Sequence, residues 1–187
     1  KIGAVCVYNT DSLLMSAFVG LRSVGIYSNY RLILSSVSLF FQQIFASFTA
    51  SVGNLGASEK SGKIYEVYRI LYMASFLCYG YGVAMMALLF RPFITLTFGK
   101  EYVFGPFVVC LILMDFYFGG MRQVIMCFRD TMGVFWYDRY KPVLEAAINL
   151  VLSIILVQKY EIAGILMGTV LSFLFTSFWV EPYVFFK

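Results

Sequence analysis

An all-α bundle of membrane-spanning helices is the architecture this sequence predicts, and three observations carry it. The 187 residues are 61% hydrophobic with a mean hydropathy of +0.83. Only 13% are charged, about half the ~25% of a soluble domain, too few to coat so much apolar surface against water. The charges also cluster, leaving six stretches near the ~20 residues that a helix needs to cross the hydrocarbon layer. Strands of a membrane barrel would be about ten residues long with in-out alternation, and no such alternation is present.

The first stretch, 2–21, is interrupted only by Asp11. The second, 32–58, carries no charge, and the third, 70–90, is uncharged and rich in Met and Tyr. The fourth, 102–128, carries Asp115 and Arg122, and the fifth, 142–158, carries Glu145. The sixth, 162–180, is uncharged and has Trp179 near its end, where an interfacial aromatic belongs. Turn-forming residues separate them: Gly20 and Gly25 around Arg22, Gly53 to Gly56, Arg91-Pro92, Gly105-Pro106, a link over 128–141 and a short turn over 159–161. Between 58 and 69 the charges Glu59, Lys60, Lys63, Glu66 and Arg69 share the chain with Ile64, Tyr65, Val67 and Tyr68. That mixture predicts an amphipathic segment along the membrane surface. The whole of 1–187 forms one transmembrane domain, and its ends read as those of a piece of a longer protein.

If the six spans alternate, Lys1, Lys60, Lys63, Arg69, Arg129, Arg139, Lys141 and Lys187 fall on one side of the membrane. Arg22, Arg91, Lys100 and Lys159 fall on the other, and Arg31 and Arg122 are assigned to neither. The richer side is expected to be cytoplasmic.

Composition also excludes much chemistry. With no His there is no imidazole base, triad or His-ligated metal. Cys6, Cys78, Cys110 and Cys127 stand singly in apolar stretches and read as small buried hydrophobes. No cofactor is implied, and a net charge of +4 is too small to suggest nucleic acid.

Ionisable residues inside spans are costly and need partners or water. Asp11 lies near the middle of the first, on a helix where Asn9, Ser12 and Ser16 share a face; it is a candidate for ion coupling or a buried interhelical pair. In the second, Arg31, Ser35, Ser38, Gln42 and Thr49 follow helical spacing, as a water-lined stripe or interhelical glue. Asp115, Gly119, Arg122, Met126 and Arg129 share one face of the fourth. Asp115 and Arg122 are two turns apart, roughly 10 Å, and are expected to find separate partners. Glu145, Asn149 and Ser153 recur every fourth residue on the fifth. Gly164 and Gly168 form a small-residue motif for close helix packing on the sixth.

Asn9-Thr10-Asp11 with Gly20, then residues 24–30 (VGIYSNY) and 50–54 (ASVGN), begin a series of short motifs. It continues through 120–123 (GMRQ), 133–142 (GVFWYDRYKP), Ala163-Gly164, Gly168-Thr169 and 179–183 (WVEPY). In this order they resemble the carboxy-terminal half of bacterial polysaccharide flippases, the O-antigen or capsule repeat-unit transporters of the multidrug/oligosaccharidyl-lipid/polysaccharide flippase superfamily. The resemblance covers essentially the whole chain. It implies one lobe of a two-lobed bundle that moves undecaprenyl-diphosphate-linked oligosaccharide across the plasma membrane by alternating access. The implied partners are that lipid-linked oligosaccharide, membrane lipids, the other half of the transporter and the polysaccharide polymerase machinery.

An anionic diphosphate calls for arginines in a wet cavity. Arg122 and Arg31 are the expected phosphate contacts, with Asp115 and Asn149 completing the substrate site. Asp11 and Glu145 are the expected ion-coupling acids, or would hold the arginines when no substrate is bound. No bond is broken in such a cycle, so enzymatic chemistry is not expected. A multidrug exporter of the same superfamily is an alternative that the arginines disfavour. A membrane enzyme of polysaccharide assembly would need paired acids, and the close pairs Glu59/Glu66 and Asp130/Asp138 fall in polar links. A subunit without transport activity is the remaining alternative.

Overall fold

The computed structural model describes residues 10–58, 61–131 and 141–186, with side-chain surroundings for 10–54, 62–131 and 141–176. Cys6, Asn9, Glu59, Lys60, Asp138, Arg139 and the side chain of Trp179 lie outside what is described. The described chain is helical, with no strand.

Six helices follow one another. α1 (Thr10–Val19) ends in a π-helical turn, Met15–Val19. Gly20, at φ 108° and ψ 159°, takes a backbone conformation that side-chain-bearing residues avoid, and so separates α1 from α2 (Leu21–Ala46). α2 breaks at Ser47 and Phe48, and α3 (Thr49–Ser58) follows. α4 (Ser61–Thr97) contains the expected amphipathic segment as its first turns. These residues are stacked in line with the helix and are not a separate surface helix, because nothing between 61 and 70 interrupts the backbone ladder. Pro92 lies inside α4, where its missing N–H leaves the Leu88 carbonyl without its helical donor. After Gly99 and a 3-10 turn (Lys100–Tyr102), α5 (Pro106–Thr131) starts on a proline, whose fixed φ suits a first helical turn. α6 is Lys141–Phe186.

α6 is a hairpin. At Glu161 the backbone takes φ 50°, ψ −128°, and the chain reverses. In an unbroken helix Asn149 and Thr169 would stand about 30 Å apart, yet the Asn149 amide donates to the Thr169 hydroxyl at 2.9 Å. Ser153 likewise donates to the Ile165 carbonyl at 3.3 Å. Glycine makes the approach possible: a Cβ on Gly164 would strike the Leu156 carbonyl, and one on Gly168 the Ser153 hydroxyl. The two arms, 141–160 and 162–186, are each about 30 Å long or more, enough to cross the hydrocarbon layer separately.

α4 and α5 pair antiparallel. Gly120 of α5 lies against the Tyr79 ring, and Tyr68, further back on α4, meets Phe128, further on along α5. α2 runs antiparallel to α4 through Tyr30–Phe90 and Phe41–Tyr79. α1 docks on α6. The outward faces carry large apolar side chains such as Leu13, Leu32, Leu77, Leu88 and Leu96, the last 88% exposed. Water would not tolerate that much exposed apolar area on a monomer; lipid would. Four helical stretches, Leu21–Asn54, Gly62–Thr97, Pro106–Thr131 and Lys141–Thr176, are long and apolar enough to cross a membrane, and the last is the hairpin.

Candidate functional site

Three groups of polar residues stand out in this apolar bundle, two largely buried and the third lining a cleft that includes the exposed Ser35 and Gln42. The first joins α1 to both arms of α6. Asp11 is 1% exposed, Asn149 0% and Thr169 8%. The Thr169 hydroxyl donates to Asp11 Oδ2 at 2.9 Å and accepts from Asn149 Nδ2 at the same distance, so two neutral side chains form a relay ending on a carboxylate. Asp11 Oδ1 and Asn149 Oδ1 have no hydrogen-bond partner among the described residues. Two buried acceptors left over in one cluster are unusual, because buried polar atoms are almost always satisfied. The π-helical turn that follows Asp11's own turn is a local distortion often found near functional residues.

The second group joins α5 to the first arm of α6. Arg122 meets Glu145 in a two-pronged pair, Nη1 to Oε1 at 3.2 Å and Nη2 to Oε2 at 3.4 Å, and Lys141 Nζ lies 3.9 Å from Oε2. The helical period explains it: Glu145 stands one turn from Lys141 on α6, and both face the α5 stripe that carries Arg122. All three side chains are mostly buried, and two cations enclose one anion.

The third group lines a cleft of about 330 Å³ between α2 and α5. Arg31, Ser35, Ser38 and Gln42 of α2 face Asp115, Gly119 and Gln123 of α5 across it, with Tyr79 of α4 at the back. Tyr79 donates to Gln123 Oε1 at 2.9 Å. Arg31 lies 5.9 Å from the Tyr27 ring centroid, and its charge acts on both Asp115 and Asp11. Asp115 stands within electrostatic reach of Asp11 and of Glu145, so the three groups are neighbours along one polar seam of the bundle.

The sequence-based residues therefore separate. Arg31 and Asp115 open onto the cleft. Arg122 stands on the same face of α5 as Asp115 but turns to Glu145. Arg129, further along, bonds to its neighbour Asp130 at 3.1 Å. Asn149 faces the Asp11 cluster and not the cleft, and Ser153 closes the hairpin. Thr49 lies beyond the α2 break and contacts Cys127 Sγ at 3.5 Å. None of the described cysteines is fully buried: Cys78 and Cys127 are half-buried, and Cys110 is exposed because its turn of α5 borders an open groove. Two participants, Lys141 and Thr169, have no site role assigned from the sequence, where they enter only through the charge count and the short motifs. Thr169 begins a ladder with Ser172 and Thr176, whose spacing of three and four residues was the available signal.

These features define a multi-pass, all-helical membrane protein with a charged seam in its interior. No protein-family model matches the chain, and neither a curated protein nor a solved structure does.

Proposed function

We propose that the chain is the carboxy-terminal lobe of a flippase that moves undecaprenyl-diphosphate-linked oligosaccharide across the bacterial plasma membrane by alternating access, supplying O-antigen or capsule synthesis. The motif order described above supports the substrate class. The observation that carries a transport reading is the Asp11–Thr169–Asn149 cluster. A contact that only glued helices together would satisfy its acceptors, because each orphan buried in hydrocarbon is costly. A carboxylate oxygen, an amide oxygen and a hydroxyl gathered in one dry site suit a small monovalent cation or a proton, whose arrival would neutralise Asp11. Three elements meet there, α1 and both arms of α6, so its occupancy would bias how α1 packs on the hairpin. Carboxylates buried in membrane bundles commonly serve such coupling.

Arg31, open to the cleft and beside Asp115, becomes the first phosphate contact, ahead of Arg122. In this arrangement Glu145 occupies the guanidinium fork of Arg122, the same fork a phosphate would use. A diphosphate reaching it would have to displace Glu145, which makes that pair a latch between empty and loaded states.

Complementation tests the reading. The full-length protein containing this chain is returned to a strain of its own organism that lacks the gene, and surface polysaccharide and protein abundance are measured together. Arg31→Ala is expected to lose display at normal abundance. Full display by both Arg31→Ala and Asp11→Asn would contradict the reading.

A further inference from the structure

A second opening, larger than the polar cleft, lies where α4 and α5 splay apart near the turn that joins them. Its volume is about 1020 Å³. The walls are apolar, with Gly80, Val83 and Ala87 on α4 facing Val109 and Leu113 on α5. Its inner end is closed by Tyr30, which is fully buried, stacks on Phe104 at 5.1 Å and accepts the Phe104 backbone N–H at 3.0 Å. The rim differs in character. Arg91, near the end of α4, and Lys100, in the 3-10 turn, both line the opening and are exposed. Neither makes an ion pair among the described residues, although the neighbouring Glu101 is engaged by Arg22 at 3.6 Å.

Dimensions and charge together specify the occupant. From Arg91 down to Gly80 the groove follows α4 for about 16 Å, close to the ~15 Å of one leaflet's hydrocarbon. An extended peptide segment would bring backbone N–H and C=O groups into a wall with little to bond them, which the membrane interior penalises, and a helix about 10–12 Å across would overfill a groove of this volume over that length. A hydrocarbon chain has no such need. A neutral head group would leave two cations at the rim without a counter-charge, whereas a phosphate-bearing anionic head group meets both.

We propose that the groove between α4 and α5 binds one anionic bilayer phospholipid, with its phosphate at Arg91 and Lys100 and an acyl chain lying along the apolar walls. The site is separate from the charged seam, and its existence does not depend on what the bundle transports. By bridging the end of α4 to the start of α5 and resting on Tyr30 of α2, the lipid would fix the three helices that frame the polar cleft.

Cys110 supplies the readout, because it lines the groove and is exposed. The full-length protein with Cys110 as its single cysteine is purified in maltoside micelles. Its alkylation by a lipid-soluble maleimide is timed with added dioleoylphosphatidylglycerol or dioleoylphosphatidylcholine. Phosphatidylglycerol is expected to slow alkylation at concentrations about tenfold lower than phosphatidylcholine, the preference that two interfacial cations supply. The double variant Arg91→Gln with Lys100→Gln should lose the preference while keeping slow protection by either lipid at high concentration. Ala87→Trp, which fills the groove and leaves the rim intact, should remove lipid-dependent protection altogether. Equal protection by the two lipids, an unchanged preference in the double variant, or no protection by either would each overturn the proposal, the last by indicating that other protein covers the groove.

Discussion

Asn149 and Glu145 stand one turn apart on the same arm of α6, about 6 Å along its axis, yet they belong to clusters that solve burial in opposite ways. Around Glu145, charge is cancelled by charge: Arg122 grips the carboxylate with two nitrogens and Lys141 adds a second cation. Around Asp11, one carboxylate receives only neutral donors, and two acceptor oxygens are left over. The first arrangement pairs opposite charges, with Arg122 Nε alone left over among its hydrogen-bonding atoms in the described residues, whereas the second leaves over a carboxylate oxygen and an amide oxygen, both acceptors. Buried ion pairs lock helices together, and removal of one partner is expensive because the other charge stays buried. An incomplete acceptor cluster can take up something with positive charge and give it back.

The difference is sharpest in mutants. Arg122→Ala takes the two-pronged partner away from Glu145, leaving Lys141 at 3.9 Å, and is expected to destabilise the protein by about 3–5 kcal/mol. Abundance in the membrane and the melting temperature of the purified protein should both fall steeply. Arg122→Leu combined with Glu145→Leu and Lys141→Leu should recover most of that loss, since all three buried charges then leave together and apolar side chains suit the site. Arg122→Lys, which keeps the charge without the planar fork, should fall between them.

Asp11→Asn should behave in the opposite way. The amide oxygen still accepts from Thr169 and a buried charge disappears, so abundance and melting temperature should match or exceed the parent, while surface polysaccharide drops. A proportional loss of abundance and display would move Asp11 into the same structural class as Glu145. Thr169→Val tests the relay more gently. It removes the hydroxyl shared by Asp11 and Asn149, and should cost about 1–3 kcal/mol of stability from the groups left unsatisfied, together with a clear loss of display. Tyr79→Phe calibrates the scale. It deletes one neutral bond, to Gln123 at the edge of the cleft, and should cost only about 0.5–1.5 kcal/mol with display preserved.

Much of this fold was legible in sequence because lipid imposes simple demands. Apolar length marked the helical stretches, Gly20 and Pro106 marked helix boundaries, and the Gly164/Gly168 spacing marked a close helix contact, whereas Gly53 to Gly56 and Arg91-Pro92, expected as separators, lie inside α3 and α4, and the break within 32–58 falls at Ser47 and Phe48. What escaped was direction. Periodicity placed Arg122 with Asp115 on one face of α5, which is correct, but a long guanidinium reaches past its own face, and which neighbour it meets depends on how α6 is docked. Asn149 shows the same limit. Its stripe with Glu145 and Ser153 was visible, yet the three side chains reach α5, Thr169 and the hairpin backbone respectively, because the second arm folds back over them. The apolar groove had no sequence signature at all, since it arises where two helices diverge.

The most direct test of transport through this seam is transbilayer movement in proteoliposomes. The full-length protein is reconstituted with a fluorescent undecaprenyl-diphosphate oligosaccharide, a monovalent cation gradient is imposed, and glycan exposure is followed with an impermeant glycan-modifying reagent. The account predicts that the parent protein moves substrate faster under the gradient than without it, and that Asp11→Asn, equally abundant in the vesicles, moves it at a rate independent of the gradient. Substrate movement no faster than in protein-free vesicles, or an Asp11→Asn rate that follows the gradient as the parent's does, would contradict it.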